Sequence, residues 1–217
     1  MQKERVLVTG ASGFIGSNLL DYLLEKDYEV IGLSRQKNLP KIHPHLTWIR
    51  ALEELKHDRI DYVVNLAGES IAQGRWTDAR KQKLIASRVE TTTMLYQYLA
   101  KRKIQPKCII SGSAVGYYGI DPTEQWTECC NEQSAPQSIF MSELCQKWEQ
   151  SARQDTSQNT KIIRLGVVFG RGAGILPQML FPIKMNLCGR IGSGRQPVVW
   201  VHIQDVLRAI EFLMLHE

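Results

Sequence analysis

Apolar and polar residues follow one another along this chain in two kinds of block. Short apolar runs bounded by turn residues predict buried strands, and they cover residues 5–9, 29–34, 61–68, 107–113 and 161–170. In other blocks, apolar residues recur at spacings of three and four. This spacing predicts amphipathic helices over residues 16–26, 77–103 and 141–152. Strands that alternate with helices require crossover connections, and these produce a parallel sheet.

The order of these elements predicts an α/β fold, a doubly wound parallel sheet of the Rossmann type. The length of 217 residues suits a single domain over residues 1–217. Residues from about 171 to 217 are expected to form the start of a small C-terminal substrate lobe. The polar stretch 120–138 predicts a long loop, and loops of that length are often functional.

Composition narrows the class of protein. Hydrophobic residues make up 43% of the chain and charged residues 23%, which is typical of a globular protein in water. No apolar run approaches the ~20 residues of a membrane span, and the first residues carry no secretory pattern. The five cysteines show no C-x-x-C pair, so we expect reduced thiols, no metal site and a cytoplasmic protein.

The net charge of +5 raises the question of an anionic partner. The densest basic run, residues 101–107, lies at a predicted helix end, where cations favour the helix dipole. Aromatic residues do not interleave with it, so we expect neither nucleic acid nor membrane as a partner. We expect a small-molecule substrate as the partner. The sequence leaves open whether the protein forms a homo-oligomer.

The segment "VTGASGFIG", residues 8–16, follows the first predicted strand and opens the first predicted helix. This context favours a dinucleotide cradle over a glycine turn without a ligand. Gly10 would make the tight turn, Gly13 would let the backbone approach a pyrophosphate, and Gly16 would let helix and strand pack closely. The predicted cofactor-binding residues here are Gly10, Ser12, Gly13, Phe14, Ile15 and Gly16.

The end of the second predicted strand indicates which nucleotide binds. NAD sites usually place a carboxylate there, whereas this chain has Ser34 and Arg35. A guanidinium can bind a 2′-phosphate through paired hydrogen bonds. We therefore predict NADP(H) as the cofactor, bound in part by these two residues. An exposed surface arginine with no ligand is the alternative.

The motifs together resemble the extended short-chain dehydrogenase/reductases of the NAD-dependent epimerase/dehydratase type. "TGASGFIG" is similar to the glycine motif of that family, and "NLAG" (residues 65–68) to the motif that closes its fourth strand and lines the cofactor. "SGSAVGYYG", "RLGVVFG" and "WVHIQDV" are similar to its later motifs. The resemblance adds Leu66, Ala67 and Gly68 to the predicted cofactor site.

A narrower resemblance is to an atypical branch of the family. It rests on the segment "NLAGESIAQGRWTDARKQKLIASRVETT", the run "GYYG" and "WVHIQD". Members of this branch are described as NADP-dependent oxidoreductases or epimerase-family proteins, and some bacterial members as cell-division inhibitors. They generally run to about 300 residues, within the reach of one domain and a lobe. We therefore expect this chain to lack the closing part of the substrate lobe.

The resemblance fails at the catalytic pair. The family uses a Tyr-x-x-x-Lys pair on one helix, in which the lysine lowers the pKa of the tyrosine and the tyrosine acts as acid or base. The corresponding helix here carries the segment "FMSELCQKWE". With Glu149 as the glutamate that ends the motif, Met141 takes the tyrosine position and Cys145 the lysine position. Neither side chain can perform those roles.

Two weaker catalytic candidates are left. Ser113 matches the active-site serine of the family, with a strand-end hydroxyl that satisfies the backbone as an equal alternative. Tyr117 follows as a second candidate and Tyr118 as a third, although a tyrosine without a nearby cation keeps a pKa of ~10 and is a poor base at neutral pH. For both tyrosines, a structural aromatic role is the favoured alternative.

Charged and aromatic residues near the predicted site complete the candidates. Arg88 lies on the apolar stripe of its helix, where a charge needs a partner. Glu69, a cofactor phosphate or a substrate anion could be that partner, and we predict that Arg88 belongs to the cofactor site. Arg75 and Trp76 could form a lid, or Trp76 could instead pack onto the long helix. His202 could be a proton carrier, although a partly buried histidine with satisfied hydrogen bonds is the favoured alternative. Asp205 is expected to begin or cap a helix.

Two functions from different classes fit these residues. The first is an NADP(H)-dependent oxidoreductase or epimerase-like enzyme for a small polar or sugar-like substrate, working without the Tyr-Lys pair. The second is a non-catalytic NADP(H)-binding sensor or scaffold, which the missing pair favours. Ser113 and the long loops favour the first, which we prefer narrowly.

Overall fold

The computed structural model describes residues 3–36, 39, 41–72, 74–125, 129–171, 174–187, 189–190 and 193–216. In these ranges the strands are β1 (Arg5–Thr9), β2 (Glu29–Leu33), β3 (Leu46–Ile49), β4 (Tyr62–Asn65), β5 (Cys108–Ala114), β6 (Thr160–Leu165), β7 (Val167–Phe169) and β8 (Trp200–His202). The α-helices are α1 (Phe14–Glu25), α2 (Asp78–Lys101), α3 (Phe140–Ala152), α4 (Leu176–Lys184) and α5 (Ile203–Leu215). Short 3-10 helices cover Leu52–Glu54 and Val115–Tyr118.

Six of the strands form one parallel sheet in the order β3-β2-β1-β4-β5-β6. The order reverses between β1 and β4, which places a crevice at the carboxyl ends of these strands. The predicted Rossmann-type, doubly wound sheet is therefore confirmed. A second sheet of two parallel strands pairs β7 with β8.

Alternate residues of the buried strands point to opposite faces of the sheet. Val6 and Val8 of β1 pack in one core with buried leucines of α1 and with α5. Leu7 packs in the other core, with α2 and the end of α3. The fold therefore has three layers, with helices on both faces of the sheet.

Several strands differ from the sequence expectation, among them β8, which was not predicted. The predicted strand 161–170 divides at Gly166 into β6 and β7, which belong to different sheets. A Cβ at Gly166 would stand 2.5 Å from the Val199 carbonyl oxygen, so the change of sheet depends on close approach of a distant segment. β3 was not predicted either. It is an edge strand whose Thr47 side chain is exposed, so its hydrophobic pattern is weak.

The C-terminal region presents apolar side chains on its surface. In α4, Met179, Leu180, Phe181 and Ile183 are exposed, whereas α5 buries one apolar face against α1 and the sheet. Residues 172–173, 188, 191–192 and 217, within the predicted substrate lobe, lie outside the described residues. Within the described ranges, each helix is too short or too polar to cross a membrane.

Candidate functional site

The glycine segment forms the turn between β1 and α1 at the carboxyl edge of the sheet. Gly10 has φ +64°, a left-handed conformation that favours glycine. A Cβ there would stand 2.5 Å from the Leu66 carbonyl oxygen, and a Cβ at Gly16 would overlap the carbonyl oxygen of Gly10. Gly10 and Gly16 are therefore required by the close approach of this turn to β4 and to its own helix.

Gly13 is the N-cap residue of α1 and has no side chain to cap the helix. Its own N–H donates to the Gly10 carbonyl oxygen at 2.9 Å. The N–H groups of the first helical turn, which include those of Phe14 and Ile15, have no partner further back in the helix and suit an anion. The Phe14 ring lies against the backbone of Gly170, while the Gly13 side of the turn is exposed.

The end of β2 lies beside this turn. Ser34 is buried, and its hydroxyl shares a 2.7 Å hydrogen bond with the Ser12 hydroxyl and accepts one from the Gln36 N–H at 3.2 Å. Arg35 is exposed and forms no hydrogen bond or ion pair within the described ranges. Ser34 thus links β2 to the glycine turn, and the neighbouring guanidinium is available to a ligand.

The predicted cofactor-lining residues after β4 lie next to the same turn. Leu66 donates its N–H to the Thr9 carbonyl oxygen at 3.3 Å, and Ala67 donates its N–H to the Thr9 hydroxyl at 3.2 Å. Gly68 follows on the exposed side. These residues and Gly10 therefore border one crevice at the carboxyl ends of β1 and β4.

A buried polar network supports the floor of this crevice. Thr9 donates to the Asn65 side-chain oxygen at 2.7 Å. The Asn65 amide nitrogen donates to Thr92 at 2.9 Å and to Ser111 at 3.2 Å, and the Trp148 indole donates to Thr92 at 3.2 Å. These hydrogen bonds join β1, β4, β5, α2 and α3. They also give the buried polar side chains the partners that such groups need.

Ser113 lies near the end of β5 and is buried. Its hydroxyl donates a 2.7 Å hydrogen bond to Oε1 of Glu149 on α3. Nε and Nη2 of Arg164, on β6, donate to both oxygens of that carboxylate at 2.7 and 2.8 Å. Burial raises the pKa of Glu149, but the hydrogen bonds from Arg164 and Ser113 outweigh it and hold the pKa below the ordinary value.

The two candidate tyrosines pack on the same arginine. The Arg164 guanidinium carbon lies 3.5 Å from the centroid of the Tyr117 ring, and Nη1 donates to the Tyr118 hydroxyl at 3.0 Å. The tyrosine rings meet edge to face with centroids 5.5 Å apart. Arg164 was not among the residues predicted from the sequence, although a charged residue in the apolar strand "KIIRLG" is a signal of a buried partner.

The comparisons with known proteins agree with this geometry. The family model for the NAD dependent epimerase/dehydratase family matches residues 6–217. An epimerase family protein of Staphylococcus saprophyticus is 36% identical over 212 residues, which span 95% of this chain and 70% of the relative. One from Staphylococcus epidermidis is 33% identical and spans 99% of this chain and 72% of the relative.

The chain belongs to the NAD dependent epimerase/dehydratase family.

Solved structures extend this result. Human epimerase family protein SDR39U1 (isoform 2), crystallised with NADPH, is 35% identical with a TM-score of 0.82, over 97% of this chain and 70% of the human chain. A nucleoside-diphosphate sugar epimerase from Corynebacterium glutamicum is 27% identical with a TM-score of 0.77, over 98% of this chain and 44% of that chain. These likenesses support a nicotinamide-dependent, oxidoreductase- or epimerase-like role.

Helix α3 carries neither the tyrosine nor the lysine of the family's catalytic pair at the positions that the sequence resemblance assigns to them. Met141, which the sequence resemblance aligns with the tyrosine, has its Cε 3.3 Å from where a Cβ on Gly116 would stand. Cys145 is a buried thiol at the lysine position. Burial raises the pKa of Cys145, and the lowering effects of the Ala114 backbone and Arg88 are smaller. The thiol is therefore protonated and weakly reactive near neutral pH.

Arg88 lies above the segment after β4, but the carboxylate of Glu69 is not its partner. Arg80 forms the ion pair with that carboxylate. Arg88 instead donates from Nη2 to the Glu69 backbone oxygen at 2.8 Å and from Nη1 to the Leu84 oxygen at 3.2 Å. Three partners of Arg88 were considered from the sequence: Glu69, a cofactor phosphate and a substrate anion. The Glu69 carboxylate is paired with Arg80 instead.

Trp76 connects two helices near this side of the crevice. Its ring meets Phe140 of α3 edge to face, with centroids 5.6 Å apart, and its indole donates to the Ile71 oxygen at 3.1 Å. The Lys81 ammonium lies 5.5 Å from the Phe140 centroid. Trp76 therefore contacts the first turn of α3, a contact that is compatible both with the lid and with packing onto α2. Arg75 is exposed beside it.

The C-terminal motif "WVHIQD" starts α5. His202 is the N-cap, and its side chain accepts a hydrogen bond from the Gln204 N–H at 3.3 Å. Asp205 lies in the first turn of α5, at the start of the helix as expected, and pairs with Arg208, whereas His202 is the cap. His202 is exposed rather than partly buried.

Cysteine and metal chemistry add no second site in the described ranges. Cys108, Cys129, Cys130 and Cys145 are free thiols, and Cys188 lies outside the described residues. No group of three or more His, Cys, Asp or Glu side chains among those described is placed to hold a metal ion.

Proposed function

We propose that the chain binds NADP(H) and uses it in oxidoreductase or epimerase-like chemistry on a small polar or sugar-like substrate. The observation that carries the proposal is the pairing of two features at neighbouring strand ends. The β1–α1 turn leaves uncapped N–H groups for a pyrophosphate, and the end of β2 presents the exposed Arg35.

The preference for NADP(H) over NAD(H) is assigned to Arg35. A carboxylate at this place would accept a hydrogen bond from a ribose 2′-hydroxyl and repel a 2′-phosphate. A guanidinium that makes no ion pair in the described ranges can instead bind that phosphate. The NADPH in the human relative's crystal structure supports the same choice.

The N–H groups of Phe14 and Ile15 would line the cofactor in this proposal, together with Ser12 and with Leu66 to Gly68, because they border the same crevice. When bound, the nicotinamide would supply or accept a hydride. The proton and the orientation of the substrate must come from the chain. Ser113 is the first candidate to bind a substrate carbonyl oxygen and Tyr117 the second. To donate to a substrate, Ser113 must turn its hydroxyl away from Glu149, its present acceptor.

The second function, a non-catalytic NADP(H)-binding sensor or scaffold, is favoured by one observation. Met141 and Cys145 leave α3 without an acid or base at the expected positions, and Ser113 already donates to a carboxylate. In either case we place the protein in the cytoplasm, with a small molecule rather than nucleic acid or membrane as its partner.

Calorimetric titration with NADPH and with NADH tests the cofactor assignment. A charge-assisted contact contributes about 1.5–3 kcal/mol, so NADPH should bind about ten- to a hundredfold more tightly. Arg35→Ala should remove most of this preference. Arg208→Ala, an exposed arginine on α5, is the matched control and should keep it. Equal affinities in the wild type, or an undiminished preference in Arg35→Ala, would reject the assignment.

A further inference from the structure

Arg88 is half-buried, and its guanidinium makes no ion pair with a carboxylate in the described ranges. Its hydrogen bonds go to the backbone oxygens of Glu69 and Leu84 and to the Ser87 hydroxyl at 3.3 Å. Nε has no hydrogen-bond acceptor among the described residues. The Glu69 carboxylate, which could have balanced the charge, is paired with Arg80.

The surroundings of Arg88 have opposing effects on this charge. Its guanidinium lies 5.3 Å from the Trp148 ring centroid, a stabilising cation–π distance, whereas burial lowers the pKa of Arg88 below its ordinary value. An arginine nevertheless stays charged in proteins. A charge that loses part of its water needs polar partners, and the Nε–H, which has no acceptor among the described residues, can still donate to a polar ligand.

The position of Arg88 in the sheet order indicates which ligand group it meets. A Cβ at Gly68 would stand 3.1 Å from the Arg88 guanidinium carbon, so this guanidinium lies on the backbone that follows β4. Arg35 follows the end of β2, and Gly13 caps α1 in the turn that follows β1. Since the order is β2-β1-β4-β5, a dinucleotide with its 2′-phosphate at Arg35 and its pyrophosphate at Gly13 continues towards β4.

We propose that Arg88 binds the nicotinamide half of the dinucleotide and fixes it in the crevice between β4 and β5. This inference rests on the proposed function, because it assumes that NADP(H) occupies the crevice. The free Nε–H and the remaining Nη hydrogens donate to the polar groups of that half. Cys145 on α3, which the resemblance aligns with the family's lysine, carries no positive charge. Arg88 on α2, which lies close enough to Cys145 to interact with it electrostatically, supplies that charge.

The test compares whole and half ligands. NADPH and adenosine 2′,5′-bisphosphate, which has the adenine half alone, are titrated against the wild type, Arg88→Met and Lys83→Met. Lys83 is an exposed lysine of the same helix and is the matched control. Arg88→Met should weaken NADPH binding about ten- to a hundredfold and leave the bisphosphate affinity unchanged. Lys83→Met should change neither affinity.

The outcomes separate this inference from the function on which it rests. If the wild type binds neither ligand, both proposals fail. If the wild type binds NADPH and a folded Arg88→Met binds it equally well, only the role of Arg88 is overturned. Equal losses for NADPH and the bisphosphate in a folded variant would also overturn it, since they would place the contact in the adenine half.

A measurement on the unmodified side chain covers the case in which Arg88→Met does not fold. The Nε–H resonance of Arg88, assigned by its loss in Arg88→Lys, is followed by nuclear magnetic resonance in the wild type. NADPH should shift it and adenosine 2′,5′-bisphosphate should not. An Nε–H resonance that responds to both ligands alike, or to neither, would contradict the proposal.

Discussion

Ser113 donates a 2.7 Å hydrogen bond to Oε1 of Glu149, and this contact ties the end of β5 to α3. Arg164 extends the contact to β6 by binding both oxygens of the carboxylate. The candidate catalytic hydroxyl is therefore held by a buried ion pair, and the stability of the site depends on that pair.

Replacing Glu149 with glutamine should destabilise the fold strongly. The Glu149 and Arg164 side chains are only 3% and 12% exposed, and removal of the carboxylate charge leaves the Arg164 guanidinium without its ion-pair partner. The expected loss in the free energy of unfolding is about 3 kcal/mol, measured by denaturant titration. Glu143→Gln, an exposed glutamate of the same helix, should change it by less than about 0.5 kcal/mol. Equal effects of the two substitutions would contradict a stabilising role of the pair.

The same carboxylate predicts a pH dependence with a definite sign. The folded pKa of Glu149 lies below its ordinary value of 4.5. The ionised group therefore contributes its full stability above pH 4.5, and this contribution is lost as the pH falls through the folded pKa. The difference in unfolding free energy between wild type and Glu149→Gln should shrink as the pH falls below 4.5. A difference that stays constant through this range would show that Glu149 is not the titrating group.

Two alanine substitutions in the glycine turn should have different effects. A Cβ at Gly16 would overlap the backbone of Gly10, whereas a Cβ at Gly13 would approach only one carbonyl oxygen, at 3.1 Å. Gly16→Ala should therefore lower the unfolding free energy by about 1–3 kcal/mol. Gly13→Ala should fold nearly normally and lose about tenfold or more in NADPH affinity, because its methyl group enters the phosphate path. Unchanged affinity in folded Gly13→Ala would remove the turn from the cofactor site.

Ser113→Ala tests whether the hydroxyl also takes part in a reaction. If Ser113 polarises a substrate carbonyl, its loss should lower the rate of NADPH oxidation by ~10²–10⁴-fold across a panel of carbonyl and sugar-nucleotide substrates. Ser157→Ala, an exposed serine before β6, is the control, and Tyr117→Phe tests the second candidate. Full activity of Ser113→Ala would reject its catalytic role. Tight NADPH binding without turnover of any substrate would favour the sensor function.

Local features of the fold could be predicted from the sequence, and long-range ones could not. The prediction for residues 5–9 coincides with β1, Arg5–Thr9, because a strand buried on both faces leaves a continuous apolar run. The division at Gly166 depends on Val199, which is distant in sequence. The edge strand β3 carries a mixed pattern, so its periodicity is weak.

In the candidate site, too, local features could be predicted from the sequence and long-range contacts could not. The glycine turn is one continuous segment, and its strand–turn–helix context is visible in the sequence. The partners of Ser113 come from two other elements, α3 and β6. The choice of Arg80 rather than Arg88 as the partner of Glu69 is settled by side-chain competition in three dimensions, which residue spacing does not encode.

A crystal structure of this chain grown with NADPH would test the central claim most directly. The account predicts electron density for the pyrophosphate against the Gly13 turn, the 2′-phosphate within hydrogen-bond distance of Arg35, and the nicotinamide on the Ser113 side of the crevice. A crevice without nucleotide density at saturating NADPH, or a nucleotide bound elsewhere on the chain, would contradict it.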